Sequence, residues 1–146
     1  MKKAKSNSTE MRMTKKYYLA GPMSGIPQSN FPLFFEVAEK LRKQHYTIIS
    51  PAELDDEKVK AETLAGVSHK HLWGDFLSRD VKIIADQVQG IVFLPGWECS
   101  RGARLEATVG LLQKDFTFLQ WNEWEQIAVP MNRVTVACML HVELVK

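Results

Sequence analysis

At 146 residues, 45% hydrophobic and 25% charged, the chain has the makeup of one globular domain with a continuous core. The formal net charge is only +2, and no direct nucleic-acid binding is expected, although a basic N-terminal segment could touch nucleic acid or acidic surfaces. The first residues hold no signal-peptide core and no later run approaches a membrane span, so no membrane partner is expected either.

Charge is unevenly placed along the chain. Lys2, Lys3, Lys5, Arg12, Lys15 and Lys16 precede Tyr17 against a single acid, Glu10, so a basic segment leads a slightly acidic body. Residues 1–15 are expected to form a solvated, disordered tail and 16–146 the folded domain. Lys16–Ala20 (KYYLA) reads as a strand that halts at Gly21-Pro22. Phe34, Val37, Ala38 and Leu41 then recur at helical spacing, which predicts a helix from Phe31 to about Gln44. Asn30 is its expected N-cap, and Pro32 suits the first turn. Tyr46–Ser50 (YTIIS) is a second strand. From Ala52 to Leu72 the periodicity fades and polarity rises, as in a connection that serves as a lid or is partly helical. Helical period returns over Trp73–Ala85 through Phe76, Leu77, Asp80, Val81 and Ile84. Gly90–Leu94 (GIVFL) is a continuous apolar strand suited to burial on both faces. Ala103–Lys114 is the next helix, with Leu105, Val109 and Leu112 as its core stripe, and Phe116–Gln120 (FTFLQ) a further strand. Arg133–Val145 suits either helix or strand.

Strands alternating with helices predict an α/β fold: one domain, with a parallel sheet of four or five strands flanked by helices. Ligands of such sheets bind beyond the carboxyl ends of the strands, which selects Gly21–Gly25, the residues after Pro51, and Pro95–Gly102. In the first loop Gly21 and Gly25 permit close backbone approach and Ser24 adds a hydroxyl, although the spacing is neither a G-x-G-x-x-G fingerprint nor a P-loop. In the third, Ser100 and Gly102 fall at a helix start, where unpaired amides and the helix dipole favour an anion. Glu106 follows one turn later on a face shared with Ala103 and Gly110, small residues that leave room for a ligand. The alternative is a surface carboxylate paired with Arg101 or Arg104. Asp80, beside Arg79, is either a solvated helix acid or a second acid at a buried edge. Trp97, Trp121 and Trp124 are candidates for stacking on a flat base or for ordinary core packing. Cys99 and Cys138 belong to no C-x-x-C or Cys/His cluster, and His45, His69, His71 and His141 are scattered. No metal or other cofactor is expected, and the thiols suit a reducing, cytoplasmic setting.

Tyr18–Gly25 (YLAGPMSG), Asn30-Phe31-Pro32, Ser50–Glu53 (SPAE), Arg79-Asp80 and Leu94–Glu98 (LPGWE) together resemble a set of small, often phage-encoded relatives of the nucleoside 2-deoxyribosyltransferases. Ser100-Arg101-Gly102-Ala103-Arg104-Leu105-Glu106 carries the Ser-x-Gly-x-x-x-Glu spacing of the deoxynucleoside 5′-monophosphate N-glycosidases of that superfamily. The resemblance spans about Tyr17 to Phe118 and implies a Rossmann-like domain that cleaves an N-glycosidic bond of a nucleotide or nucleoside. It implies Glu106 as nucleophile on the anomeric carbon, forming a covalent glycosyl-enzyme, and Asp80 as the acid that holds sugar hydroxyls or orients Glu106. It further implies Ser100 and Gly102 at the 5′-phosphate, and Gly21, Ser24 and Gly25 along the same pocket; Asn30 and Trp97 complete the expected substrate contacts. In the monophosphate hydrolases the first loop carries an Arg and further glycines, where this chain has Pro22 and Ser24; Arg101 or Arg104 is the available substitute. The expected activity is hydrolysis of nucleoside 5′-monophosphates. Transfer of deoxyribose to a second base is the alternative, and a non-catalytic nucleotide-binding or interaction protein is the third reading. A homo-oligomer is expected by analogy.

Overall fold

The computed structural model of the chain describes residues 15–66 and 73–140. The expected basic tail up to residue 14, His69, His71, His141 and the end of the chain lie outside these residues. The described residues form five strands and five α-helices. They are β1 (Lys16–Ala20), α1 (Phe31–Lys43), β2 (Thr47–Ile49), α2 (Pro51–Leu64), α3 (Trp73–Asp86), β3 (Gly90–Phe93), α4 (Arg101–Leu111), β4 (Thr117–Asn122), β5 (Ile127–Met131) and α5 (Arg133–Met139). The strand order is β2-β1-β3-β4-β5. The first four strands are parallel, and β5 returns antiparallel beside β4. Pro130 lies on this edge strand, where a missing amide is tolerated.

Alternation along the strands divides the core between the two faces of the sheet. Tyr17, Leu19, Val92 and Leu119 join Phe34, Val37, Ala38 and Leu41 of α1 on one side. Tyr18, Ala20, Ile91, Phe93 and Phe118 pack on the other with Ile83 and Ile84 of α3, Ala103 and Ala107 of α4, and Val136 of α5. The α1 stripe is thus the one its spacing predicts, and the stretch after Ala52 is partly helical, one of its two expected forms, whereas the core face of α4 and the capping role of Asn30 are corrected.

The stretch after Ala52 is a regular helix up to Leu64, hidden from pattern reading because its apolar residues have no helical period. Helix α4 begins at Arg101 and buries Ala103, Glu106, Ala107 and Gly110. The stripe read as core is on the other side: Leu105 is 40% and Leu112 82% exposed, and Val109 is only partly buried. The reason is steric, since a Cβ at Gly110 would lie 2.7 Å from the Phe116 ring, so only a face of small residues lets α4 approach the sheet this closely. Asn30 takes the N-cap position of α1 in a left-handed conformation (φ 60°) and makes no side-chain cap. Its carboxamide donates instead to the Pro22 carbonyl at 2.9 Å, bracing the first loop.

Candidate functional site

β1, β3 and the helices after them bring the predicted loops to one edge of the sheet. There Gly21, Ser24, Asp80, Ser100, Gly102 and Glu106 line a single cavity of about 820 Å³, within the size range of small-molecule sites. Gly25 and Asn30 are not among its lining residues: Gly25 turns the loop with φ 79°, and Asn30 holds the loop from behind.

Tyr18 forms part of the cavity wall, because strand alternation points it to the side of the sheet that α3 and α4 cover. Glu106 is 5% exposed and Asp80 8%. Neither arginine next to Glu106 in sequence pairs with it. Arg104 donates to the carbonyls of Glu98, Met139 and Leu140, fastening α4 to the end of α5. Arg101 lies at the cavity rim with its guanidinium 4.7 Å from the Trp73 ring centroid.

Arg79 serves Asp80 instead. Its Nε and Nη2 both donate to Asp80 Oδ1, at 2.9 and 2.7 Å, and Nη2 also meets Asp55 Oδ1 of α2 at 2.7 Å. One guanidinium therefore joins two carboxylates on two helices. Burial pushes the Glu106 carboxyl up to about 8, reinforced by the Asp80 charge and opposed by the Tyr18 hydroxyl and Arg79. Asp80 is also raised by burial, with Arg79 pulling the other way. The phenol of Tyr18 is raised well above its ordinary value, by burial first and then by Glu106 and Asp80. Its hydroxyl is within reach of both acids yet closes no hydrogen bond of good geometry, so the group is unspent.

Ser100 is the N-cap of α4, its Oγ accepting from the Ala103 amide at 3.3 Å. Ser100, Arg101 and Gly102 all line the cavity, and the amides of Arg101 and Gly102 precede the helical ladder. An anion seat is thereby available one turn from Glu106. Among the described residues no group of three or more His, Cys, Asp and Glu is arranged to hold a metal ion.

Trp97 is placed elsewhere than expected. It is fully buried, stacked on Phe93 at 3.9 Å between centroids, and packs in the core rather than against the cavity. Trp121 is likewise buried, on the opposite side of the sheet, and Trp124 is exposed beside a separate cleft at the β4–β5 hairpin. The aromatic residues that do border the acid cavity are Tyr18, Phe31, Trp73 and Phe76. Tyr18, Asp55 and Arg79 are among the site residues to which sequence reasoning gave no role. A signal existed for Tyr18, since one of two adjacent strand tyrosines must face the acid-bearing helices; Asp55 lay in the stretch without period and gave none.

The chain is thus a Rossmann-like α/β domain whose mostly parallel sheet carries a cavity with two buried acids at its carboxyl edge. The chain belongs to the family described as Domain of unknown function (DUF4406), whose model matches residues 15–115. That match takes in every residue of the cavity and ends before β4, β5 and α5. No curated protein and no solved structure matches the chain. No helix among the described residues is long and apolar enough to cross a membrane.

Proposed function

We propose that this protein cleaves the N-glycosidic bond of nucleoside 5′-monophosphates as a member of the nucleoside 2-deoxyribosyltransferase-like superfamily. The observation that carries the reading is a buried Glu106 on the wall of a cavity whose other residues include a second acid, Asp80, and the start of α4. Breaking such a bond passes through an oxocarbenium-like state that a close carboxylate stabilises and can trap. Glu106 bonds to the anomeric carbon, splitting one difficult displacement into two. Asp80, fixed through Oδ1 by Arg79, keeps Oδ2 for sugar hydroxyls. The amides of Arg101 and Gly102 with the hydroxyls of Ser100 and Ser24 receive the phosphate, and Arg101 at the rim supplies the charge that the first loop lacks. Binding energy gathered at the phosphate is then used to position the bond being broken.

Chromatography of free base released from a panel of deoxynucleoside 5′-monophosphates tests this. Glu106→Ala is expected to lower release by at least about a hundredfold, the scale of a lost covalent nucleophile. Release unchanged in a folded variant overturns the assignment. Adding a second free base separates hydrolysis from transfer, because base exchange without net hydrolysis assigns the protein as a transferase. Nucleotide binding by calorimetry with no base released assigns a binding protein.

A further inference from the structure

Five arginines fall among the described residues, and four of them are committed to the protein itself. Arg42 holds Glu53 and the Ile48 carbonyl, and Arg79 holds Asp55 and Asp80. Arg104 and Arg133 donate to backbone carbonyls. Arg101 makes no hydrogen bond or ion pair with any described residue; it is exposed and lies over the Trp73 ring, 4.7 Å from its centroid. The topology explains the meeting. Helices beside a parallel sheet run back against its strands, so α3, before β3, and α4, after it, both start at the carboxyl edge. Trp73 and Arg101 are the first residues of these two helices, and both line the cavity.

Contact through a ring face restrains a guanidinium in a particular way. Its five donors all lie in its own plane, so resting on an aromatic face limits its orientation and takes up none of them. An ion pair would have restrained the side chain and neutralised it as well. Among the described residues lining the cavity Arg101 is the one cation, set against the carboxyl groups of Asp55, Asp56, Asp80 and Glu106. A phosphate entering this cavity is driven away from the acids and toward the rim where Arg101 lies. Resting on the nucleotide reading of the cavity, we propose that Trp73 and Arg101 form a stacked clasp that selects 5′-phosphorylated over unphosphorylated nucleosides. Arg101 donates a pair of hydrogen bonds to two phosphate oxygens, a geometry its planar fork matches. Trp73 is the positioning residue: it holds the guanidinium at the rim and touches neither the phosphate nor the reacting atoms. Selectivity follows as a difference, since an unphosphorylated nucleoside offers these donors no anion and leaves Arg101 to water.

The test is a ratio: kcat/KM for base release from a deoxynucleoside 5′-monophosphate over that from the same deoxynucleoside. A defect of folding or of the acids lowers both terms alike and leaves the ratio in place. The wild type is expected to prefer the monophosphate by at least about tenfold, the scale of charge-assisted hydrogen bonds. Arg101→Ala should remove most of that preference, and Arg101→Lys, which retains the charge without the fork, part of it. Trp73→Leu keeps apolar bulk and loses the aromatic face; it should lower the ratio by about two- to fivefold, with Trp73→Phe closer to wild type. In an Arg101→Ala background Trp73→Leu should change the ratio no further, because the two residues act as one unit. A Trp73→Leu loss that is equal for both substrates overturns the clasp and makes Trp73 a contact of the base or sugar. A ratio that still falls in the absence of Arg101 overturns it too, as does an Arg101→Ala variant with the wild-type ratio. If neither substrate releases base, the glycosidase reading fails on its own. Calorimetry with the same uncleaved pair then measures the clasp as a ratio of dissociation constants, with the same shifts expected and the same outcomes overturning it.

Discussion

Glu106→Gln is expected to stabilise the folded chain at pH 7 by about 3 kcal/mol, even as it removes the reacting carboxyl. The folded carboxyl titrates near 8 against an ordinary value of 4.5. Between those values the unfolded chain has released this proton and the folded chain still holds it, so stability falls as pH rises across the window. The stability tied to the neutral carboxyl is complete below 4.5 and has been lost once pH passes through about 8. Gln keeps the shape, carries no proton to lose and bypasses the penalty. Urea unfolding of both proteins at a series of pH values checks this. The difference should be small near pH 4, grow steadily to about pH 8 and then level off. A difference that does not depend on pH overturns it. Such a gain is the mark of a group kept for its chemistry at a cost in stability.

That cost explains why the site was only partly legible in the sequence. The loops could be placed because breakers such as Gly21-Pro22 and Pro95-Gly96 end apolar strands, and a parallel sheet sends those ends to one edge. The face of α1 was equally plain, since Phe34, Val37, Ala38 and Leu41 carry the whole signal. Helix α4 misleads because hydrophobicity favours its leucines, whereas Phe116 and Phe118 take up the space beneath it and admit only Ala103, Ala107 and Gly110. Glu106 is buried by falling on that small-residue face, a placement set by packing partners beyond the helix. Helix α2 has the opposite difficulty: it lends the cavity Asp55 and Asp56 and keeps Val59 half-exposed, so it has no apolar stripe to detect. The ion pair of Asp55 with Arg79 joins residues far apart in sequence, which spacing cannot reveal.

Trp97 is where the two expectations part most widely, and its replacement should have the largest effect on stability. As a base-stacking residue it would be partly open; instead it is fully buried and lies nearly parallel to Phe93, with an 18° interplanar angle. Trp97→Ala is expected to cost about 3–5 kcal/mol through lost burial and the cavity left behind. Against a total stability of roughly 5–15 kcal/mol, that lowers the melting temperature by on the order of 10 °C or more. The effect should extend to the site. Trp97 follows Gly96, whose φ of 84° makes the turn out of β3, and the short 3-10 helix Trp97–Cys99 delivers the chain to Ser100. Removing the ring frees the segment that positions the start of α4. Trp97→Phe separates the roles, since it retains an aromatic ring against Phe93 and eliminates an indole N–H that has no partner in the core. Its loss in stability should be well below that of Trp97→Ala, and nucleotide affinity measured on the folded variant should match wild type. A loss of about 1–3 kcal/mol of binding in Trp97→Phe, the scale of a stacked base, would instead return Trp97 to the ligand. The burial of its ring beneath the loop argues that thermal unfolding, and not affinity, will register the change.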